Sequence, residues 1–290
     1  MSATTKAKRL SFWSLLKISR PLNLVIVAFA QLMTAYFLVE TTRKGLPVLQ
    51  DINLYLIIIS TVILTAAGYM INDYYDVKID YVNKPDEVII GKGMKRRVAI
   101  FLHTILNISG VGIGLIVSPR IAVINFIASF LLWLYSNSLK RLPFIGNFTV
   151  ALLTGTAIWI IGYYYQKSEL LVLTYAIFAF FINLIREIIK DIEDRQGDRK
   201  HGCRTLPIVF GFRNTKRIIF TIAFCFISAI LIVTFKINNT QLYFYFGGLS
   251  ILFFIFMYKI YMADRKAHFT QLSILSKMLM FTGILSMAFL

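Results

Sequence analysis

LYLIIISTVILTAAGYMINDYYDVKID, residues 54–80, decides how the chain is read. Residues Leu54–Met70 are apolar almost without interruption, close to the roughly 20 residues a helix needs to cross a bilayer. Directly after them come Asn72, Asp73, Asp76 and Asp80. Similar apolar runs occupy Leu22–Val39, Ile121–Tyr135 and Ile218–Phe235. With 58% hydrophobic and only 16% charged residues, the 290-residue chain has too little charge to hydrate the surface of a soluble domain. The expected fold class is therefore all-α integral membrane. About nine transmembrane helices are expected, near residues 21–39, 54–72, 98–117, 121–136, 147–164, 170–189, 217–235, 242–260 and 271–289. The whole of 1–290 is expected to form a single membrane domain, with 1–17 as a basic cytoplasmic tail.

A net charge of +17 in a soluble protein would point to nucleic acid. Here the positive-inside rule accounts for it, and no nucleic-acid partner is expected. With the N-terminus inside, roughly 25 of the 31 Lys and Arg fall in the N-terminal tail and cytoplasmic loops. Arg43, Lys44, Arg120, Lys167 and Lys236 fall outside, and Lys277 lies within the last span. The basic start (Lys6, Lys8, Arg9, Lys17, Arg20) leads into a full-length span, so it reads as an anchor rather than a cleaved signal. Cys203 and Cys225 show no pairing or metal-ligand pattern, and His103, His201 and His268 are scattered.

The 14 acidic residues are unevenly placed. Asp73, Asp76 and Asp80 follow the second span; Asp191, Asp194 and Asp198 follow the sixth, and both sets read D-x-x-D-x-x-x-D. Steps of three and four residues put each set on one helical face, where like charges repel unless cations sit among them. Magnesium suits such a place, because it takes carboxylate oxygens, keeps some waters and shares its other positions with substrate phosphate. Two clusters would hold two or more ions, bridged by a diphosphate. The solvated-interface reading of one acidic cluster is as good as the functional one. Two clusters of identical spacing on the same membrane face weigh against it, because ionisable groups at the edge of spans are expensive. Lys84 and Lys92 follow the first cluster, Lys190, Arg195, Arg199, Lys200 and Arg204 accompany the second, and Lys140 and Arg141 follow Tyr135-Ser136. Cations of this kind stabilise the charge that develops on a departing diphosphate. Lys95, Arg96, Arg97, Lys216 and Arg217 read as topological charges only.

At these residues the sequence resembles the UbiA superfamily of intramembrane prenyltransferases. The resemblance rests on Asn72-Asp73-x-x-Asp76-x-x-x-Asp80 and on the run from Arg186 to Asp198. It is extended by Arg20-Pro21-x-Asn23, Tyr135-Ser136-x-x-Leu139-Lys140-Arg141 and Thr205-Leu206-Pro207. It implies a bundle of nine spans around a central cavity, with two Asp-rich cytoplasmic caps. It further implies magnesium-dependent loss of diphosphate from a prenyl diphosphate, and capture of the resulting allylic cation by an acceptor. On that reading Asp73, Asp76, Asp191 and Asp194 are catalytic. Asn72, Asp73, Asp76, Asp80, Asp191, Asp194 and Asp198 hold metal, and Asn72, Lys84, Tyr135, Lys140, Lys190 and Arg204 contact the diphosphate or substrate.

One stretch departs from the family pattern. Many members follow the first cluster with Arg-Pro-x-Arg-Pro, whereas this chain has Lys84-Pro85-Asp86-Glu87-Val88, so a diphosphate contact is lost there or moved to Lys92. The motifs look most like the branch containing digeranylgeranylglyceryl phosphate synthase, which implies a (geranylgeranyl)glycerol phosphate as acceptor. Aromatic acceptors, as in quinone, chlorophyll or haem pathways, are the alternative. A CDP-alcohol phosphotransferase would need a glycine where Val77 stands. An ion-coupled transporter would carry its charges near the bilayer midplane rather than at one end.

Overall fold

The computed structural model describes residues 12–42, 44–238 and 240–289. Lys6, Lys8, Arg9 and Arg43, counted above in the charge bias, lie outside the described residues. The helices are α1 (Phe12–Ser19), α2 (Pro21–Met33), α3 (Ile52–Asn83), α4 (Arg96–Val117), α5 (Pro119–Asn137) and α6 (Ile145–Tyr165). They continue with α7 (Glu169–Glu193), α8 (Arg195–Lys200), α9 (Leu206–Val209), α10 (Gly211–Ile237), α11 (Thr240–Met262) and α12 (Lys266–Leu285). A π-helical turn, Thr34–Val39, extends α2. Among the described residues nine helices are long and apolar enough to cross a membrane, and they match the nine expected runs. Helix is the form that satisfies every backbone polar group within its own segment when no water is at hand. Residues 12–17, read from the sequence as tail, instead begin α1.

The chain divides into two compact units. The first comprises described residues up to Ala28 together with Tyr55–Leu139. Here α4 turns directly into α5 at Ser118, whose side chain accepts from the Ile121 N–H while Pro119 supplies the first helical residue. Small residues let the helix backbones approach. A Cβ on Gly110 would come within 2.7 Å of the Leu64 side chain, and one on Gly114 within 2.5 Å of the Asn125 amide. Polar side chains bond across the contact, as membrane helices require. Asn125 donates to the Gly110 carbonyl (3.1 Å) and Ser129 to Asn107 (2.6 Å). Ile18 of α1 is fully buried with Met70, Ile89, Ile90, Met94 and Ala99, which ties α1 to the loop between α3 and α4.

The second unit comprises Phe29–Leu54 and Lys140–Leu290, as far as these residues are described. Its centre is α7, flanked by α6, α10 and α12. Gly155 of α6 lies against the Ala176 carbonyl of α7, where an added Cβ would stand at 2.8 Å from that oxygen. Asn183 donates to Thr154 across the same pair at 2.9 Å. Phe178, Phe181, Phe226 and Phe253 stack edge to face or tilted behind α7. At the far end from Asp191, Tyr165 donates to Asp51 and Lys167 to Thr41. Because a backbone oxygen cannot move aside, Gly155→Val is expected to prise α6 from α7 and cost about 2 kcal/mol or more. Thermal unfolding in detergent, read against Gly112→Ala, whose added Cβ meets nothing within 4 Å, checks it.

Candidate active site

In the first unit α3 does not stop at the end of its apolar run but continues unbroken to Asn83. Asn72, Asp76 and Asp80 therefore recur at steps of four, with Asp73 beside them, as the spacing predicts. The helix ends where Pro85 forces the preceding residue out of helical geometry, and the Lys84 N–H closes back on the Asp80 carbonyl at 2.8 Å. Asp73 is 16% exposed and accepts from the Arg20 guanidinium at 2.8 Å. Arg20 also lies 4.9 Å over the Tyr69 ring. It occupies the α1–α2 junction with φ +52°, a conformation non-glycine residues seldom take, and its carbonyl accepts from the Asn23 N–H. Burial works against its charge, but Asp73, Tyr69 and Asp80 outweigh it and raise its pKa.

The loop after α3 contains the stretch that departs from the family pattern. Val88, Ile89 and Ile90 are buried, and the Ile89 carbonyl accepts from Lys92, Gly93 and Met94 around Gly91 at φ +94°. Glu87 faces solvent at the rim of this plug. Lys92 donates to the Pro85 carbonyl at 2.7 Å and lies over Tyr81, so it braces the loop. Arg96, read above as a topological charge, lies 4.5 Å over the Tyr74 ring and donates to the Tyr74 carbonyl. Tyr135, on α5 of this unit, is half-buried near that helix's end.

In the second unit the motif is not carried by one unbroken helix. Helix α7 ends at Glu193, and Asp194 takes φ −92°, ψ 3° between α7 and α8. Asp191 is on α7, Asp194 at the break and Asp198 on α8, where it is buried. Asp194 interrupts the helix in the middle of the motif, although its N–H still reaches the Lys190 carbonyl at 2.8 Å and the Asp198 N–H reaches the Asp194 carbonyl at 3.2 Å. Asn147, buried near the start of α6, donates to Asp191 at 2.9 Å. Glu187, one turn earlier on α7, is 5% exposed and accepts from Arg186 at 2.7 Å and from Lys190 at 3.0 Å. Lys190 is thus engaged by Glu187. Glu193 is buried and accepts from Thr270 of α12. The turn Leu139–Arg141 and the segment before α9 are joined by the Arg204 N–H to the Arg141 carbonyl at 2.8 Å, which brings the Lys140 and Arg204 segments together.

The sequence reading missed Arg20 as a partner of Asp73, missed Asn147 altogether, and held Glu187 only within the resembling run from Arg186 to Asp198, with no role given to it. Arg20 had a signal, since Arg20-Pro21-x-Asn23 stood among the resembling segments. Asn147 had none beyond being a polar residue near the start of an apolar run. Among the described residues no group of three or more His, Cys, Asp or Glu is placed to hold a metal ion by itself. The donor set nevertheless fits a hard divalent cation, being carboxylates with one amide at each cluster, Asn72 and Asn147. An ion that keeps water and substrate oxygens needs few protein ligands.

Residues 22–282 match the UbiA prenyltransferase family. The chain is 32% identical over 250 residues to digeranylgeranylglyceryl phosphate synthase of Methanococcoides burtonii, covering 84% of this chain and 89% of that protein. It is 40% identical over 148 residues to the protein of the same name from Thermococcus gammatolerans. That alignment covers 51% of this chain and 53% of the relative, so the match spans about half the relative's length. In fold it is similar to a solved structure of a digeranylgeranylglyceryl phosphate synthase, with a TM-score of 0.72 at 22% identity over 95% of this chain and 96% of the other. A UbiA homolog from Archaeoglobus fulgidus bound to DMAPP and Mg2+ gives a TM-score of 0.64 at 14% identity, over 96% of this chain and 100% of that one. With nine apolar helices among its described residues and a family match over nearly its whole length, the chain is an integral membrane protein and belongs to the UbiA prenyltransferase family.

Proposed function

We propose that this protein transfers a prenyl group from a prenyl diphosphate to a glycerol phosphate that itself carries a prenyl chain, using two or more magnesium ions. The observation that carries the reading is the pair of D-x-x-D-x-x-x-D clusters at the ends of apolar helices α3 and α7. The relatives' shared name supports the acceptor class, and the Archaeoglobus homolog's DMAPP and Mg2+ support the donor and the metal. The distribution of Lys and Arg supports placing the N-terminus and both clusters on the cytoplasmic side.

Asn72, Asp73, Asp76 and Asp80 in one unit, and Asp191, Asp194 and Asp198 in the other, are the proposed metal-holding residues. Magnesium bound there would supply positive charge against the diphosphate, making it a better leaving group. Lys84, Tyr135, Lys140 and Arg204 are the proposed diphosphate contacts; Lys190 contributes its field while held by Glu187. The carbon–oxygen bond to the diphosphate breaks with its electron pair leaving on oxygen. The allylic cation is then captured by an acceptor hydroxyl, which forms the new carbon–oxygen bond and gives its proton to the departed diphosphate. Apolar helix surface keeps water from competing for that cation.

Purified protein given magnesium, a labelled prenyl diphosphate and a panel of prenylglycerol phosphates, benzoates and naphthoates tests the proposal. Pyrophosphate release with a lipid-soluble product from the glycerol phosphates is expected, with turnover lost in EDTA. Turnover that survives EDTA would overturn the metal role. Prenylation of an aromatic acid in preference to glycerol phosphates would replace the acceptor.

A further inference from the structure

The first aspartate of each cluster is held by a different kind of partner. Asp73 accepts from the Arg20 guanidinium at 2.8 Å, and Asp191 from the uncharged Asn147 amide at 2.9 Å. A guanidinium is a permanent cation that satisfies carboxylate lone pairs and cancels one charge of its cluster. An amide satisfies a lone pair and cancels none. Arg20 is also committed to its place, since it is stacked on Tyr69 and carried by a chain turned to φ +52° at that residue. Next to Asp191, Arg186 and Lys190 place their ion pairs on Glu187.

We propose that Arg20 is a built-in competitor for the divalent cation at Asp73, so that the free protein holds such an ion more tightly at the Asp191 cluster. This rests on the reading of both clusters as metal-holding. An ion arriving at Asp73 must displace Arg20 or share a carboxylate whose charge is already matched. An ion arriving at Asp191 meets a carboxylate oriented by Asn147, whose uncharged amide does not compete for the site as a cation does. Arg20 is thus a positioning residue that sets the order in which the clusters fill.

Mn2+ binding to the full chain in detergent, followed by electron paramagnetic resonance without substrate, tests this. Asp191→Asn should weaken the tightest Mn2+ binding by about tenfold or more, and Asp73→Asn by less than about twofold. Arg20→Gln should tighten a second, weaker class by about tenfold, whereas Arg20→Lys, which keeps the cation, should stay within about twofold of wild type. Equal losses from the two aspartate substitutions, or no tightening in a folded Arg20→Gln protein, would overturn the proposal while leaving the metal reading standing. No Mn2+ binding by folded wild-type protein would overturn both, and EDTA-resistant turnover would separately overturn the metal reading.

Discussion

Asp191→Asn is expected to lower prenyl transfer by about three orders of magnitude while the protein stays folded. The substitution keeps the side chain's size and leaves an amide oxygen to accept from Asn147, so the contact between α6 and α7 survives. What it removes is the carboxylate charge, on which holding a hard divalent ion depends. Activity at saturating magnesium, set beside the thermal unfolding midpoint, separates the two effects. A midpoint within a few degrees of wild type with activity intact would show that Asp191 has no part in the chemistry. Asp191→Ala should be as inactive and also less stable, because it leaves the buried Asn147 amide without its acceptor.

The second large effect is on stability. Glu187 is 5% exposed and receives both Arg186 and Lys190. Removing it leaves two partly buried cations facing each other, and breaking a buried pair in this way costs about 3–5 kcal/mol. Glu187→Ala is therefore expected to lower the unfolding midpoint sharply. Glu187→Gln, which still accepts hydrogen bonds, should cost roughly half as much. Adding Arg186→Met to Glu187→Ala should recover part of the loss, since contacting residues are not additive. Full additivity would show that the three side chains do not act as a unit.

The spans were legible because lipid leaves the backbone a single economical form, and an uninterrupted apolar run states its own length. Their ends were less so. No continuous apolar run marks the stretch of α3 from Asp73 to Asn83, and the helix persists there on local bonding and on packing of Ile79, Tyr74 and Val77. The first aspartate set was read correctly as a helical face for that reason. For the second set the spacing did not reveal that the helix is interrupted at Asp194, between α7 and α8. The partners of the aspartates were hidden for a different reason. Arg20 and Asn147 are 53 and 44 residues from the carboxylates they meet, and only the folded chain brings them there. Residues 12–17 were taken for tail along with the basic residues before them, whereas α1 carries one basic residue, Lys17, and packs Ile18 and Leu15 against the Ile89–Met94 loop.

At 32 residues α3 is about 48 Å long, against a hydrocarbon layer of about 30 Å. Its apolar part, from Leu54 to Ile71, covers about 27 Å, slightly less than that layer. The depth of Asp73 is therefore set by hydrophobic matching, since a thicker bilayer pulls the polar end of the helix toward hydrocarbon or must thin around it. With Asp73 holding metal as proposed, the rate of prenyl transfer is expected to vary with acyl-chain length in the surrounding lipid, so membranes of different thickness would tune the same sequence differently.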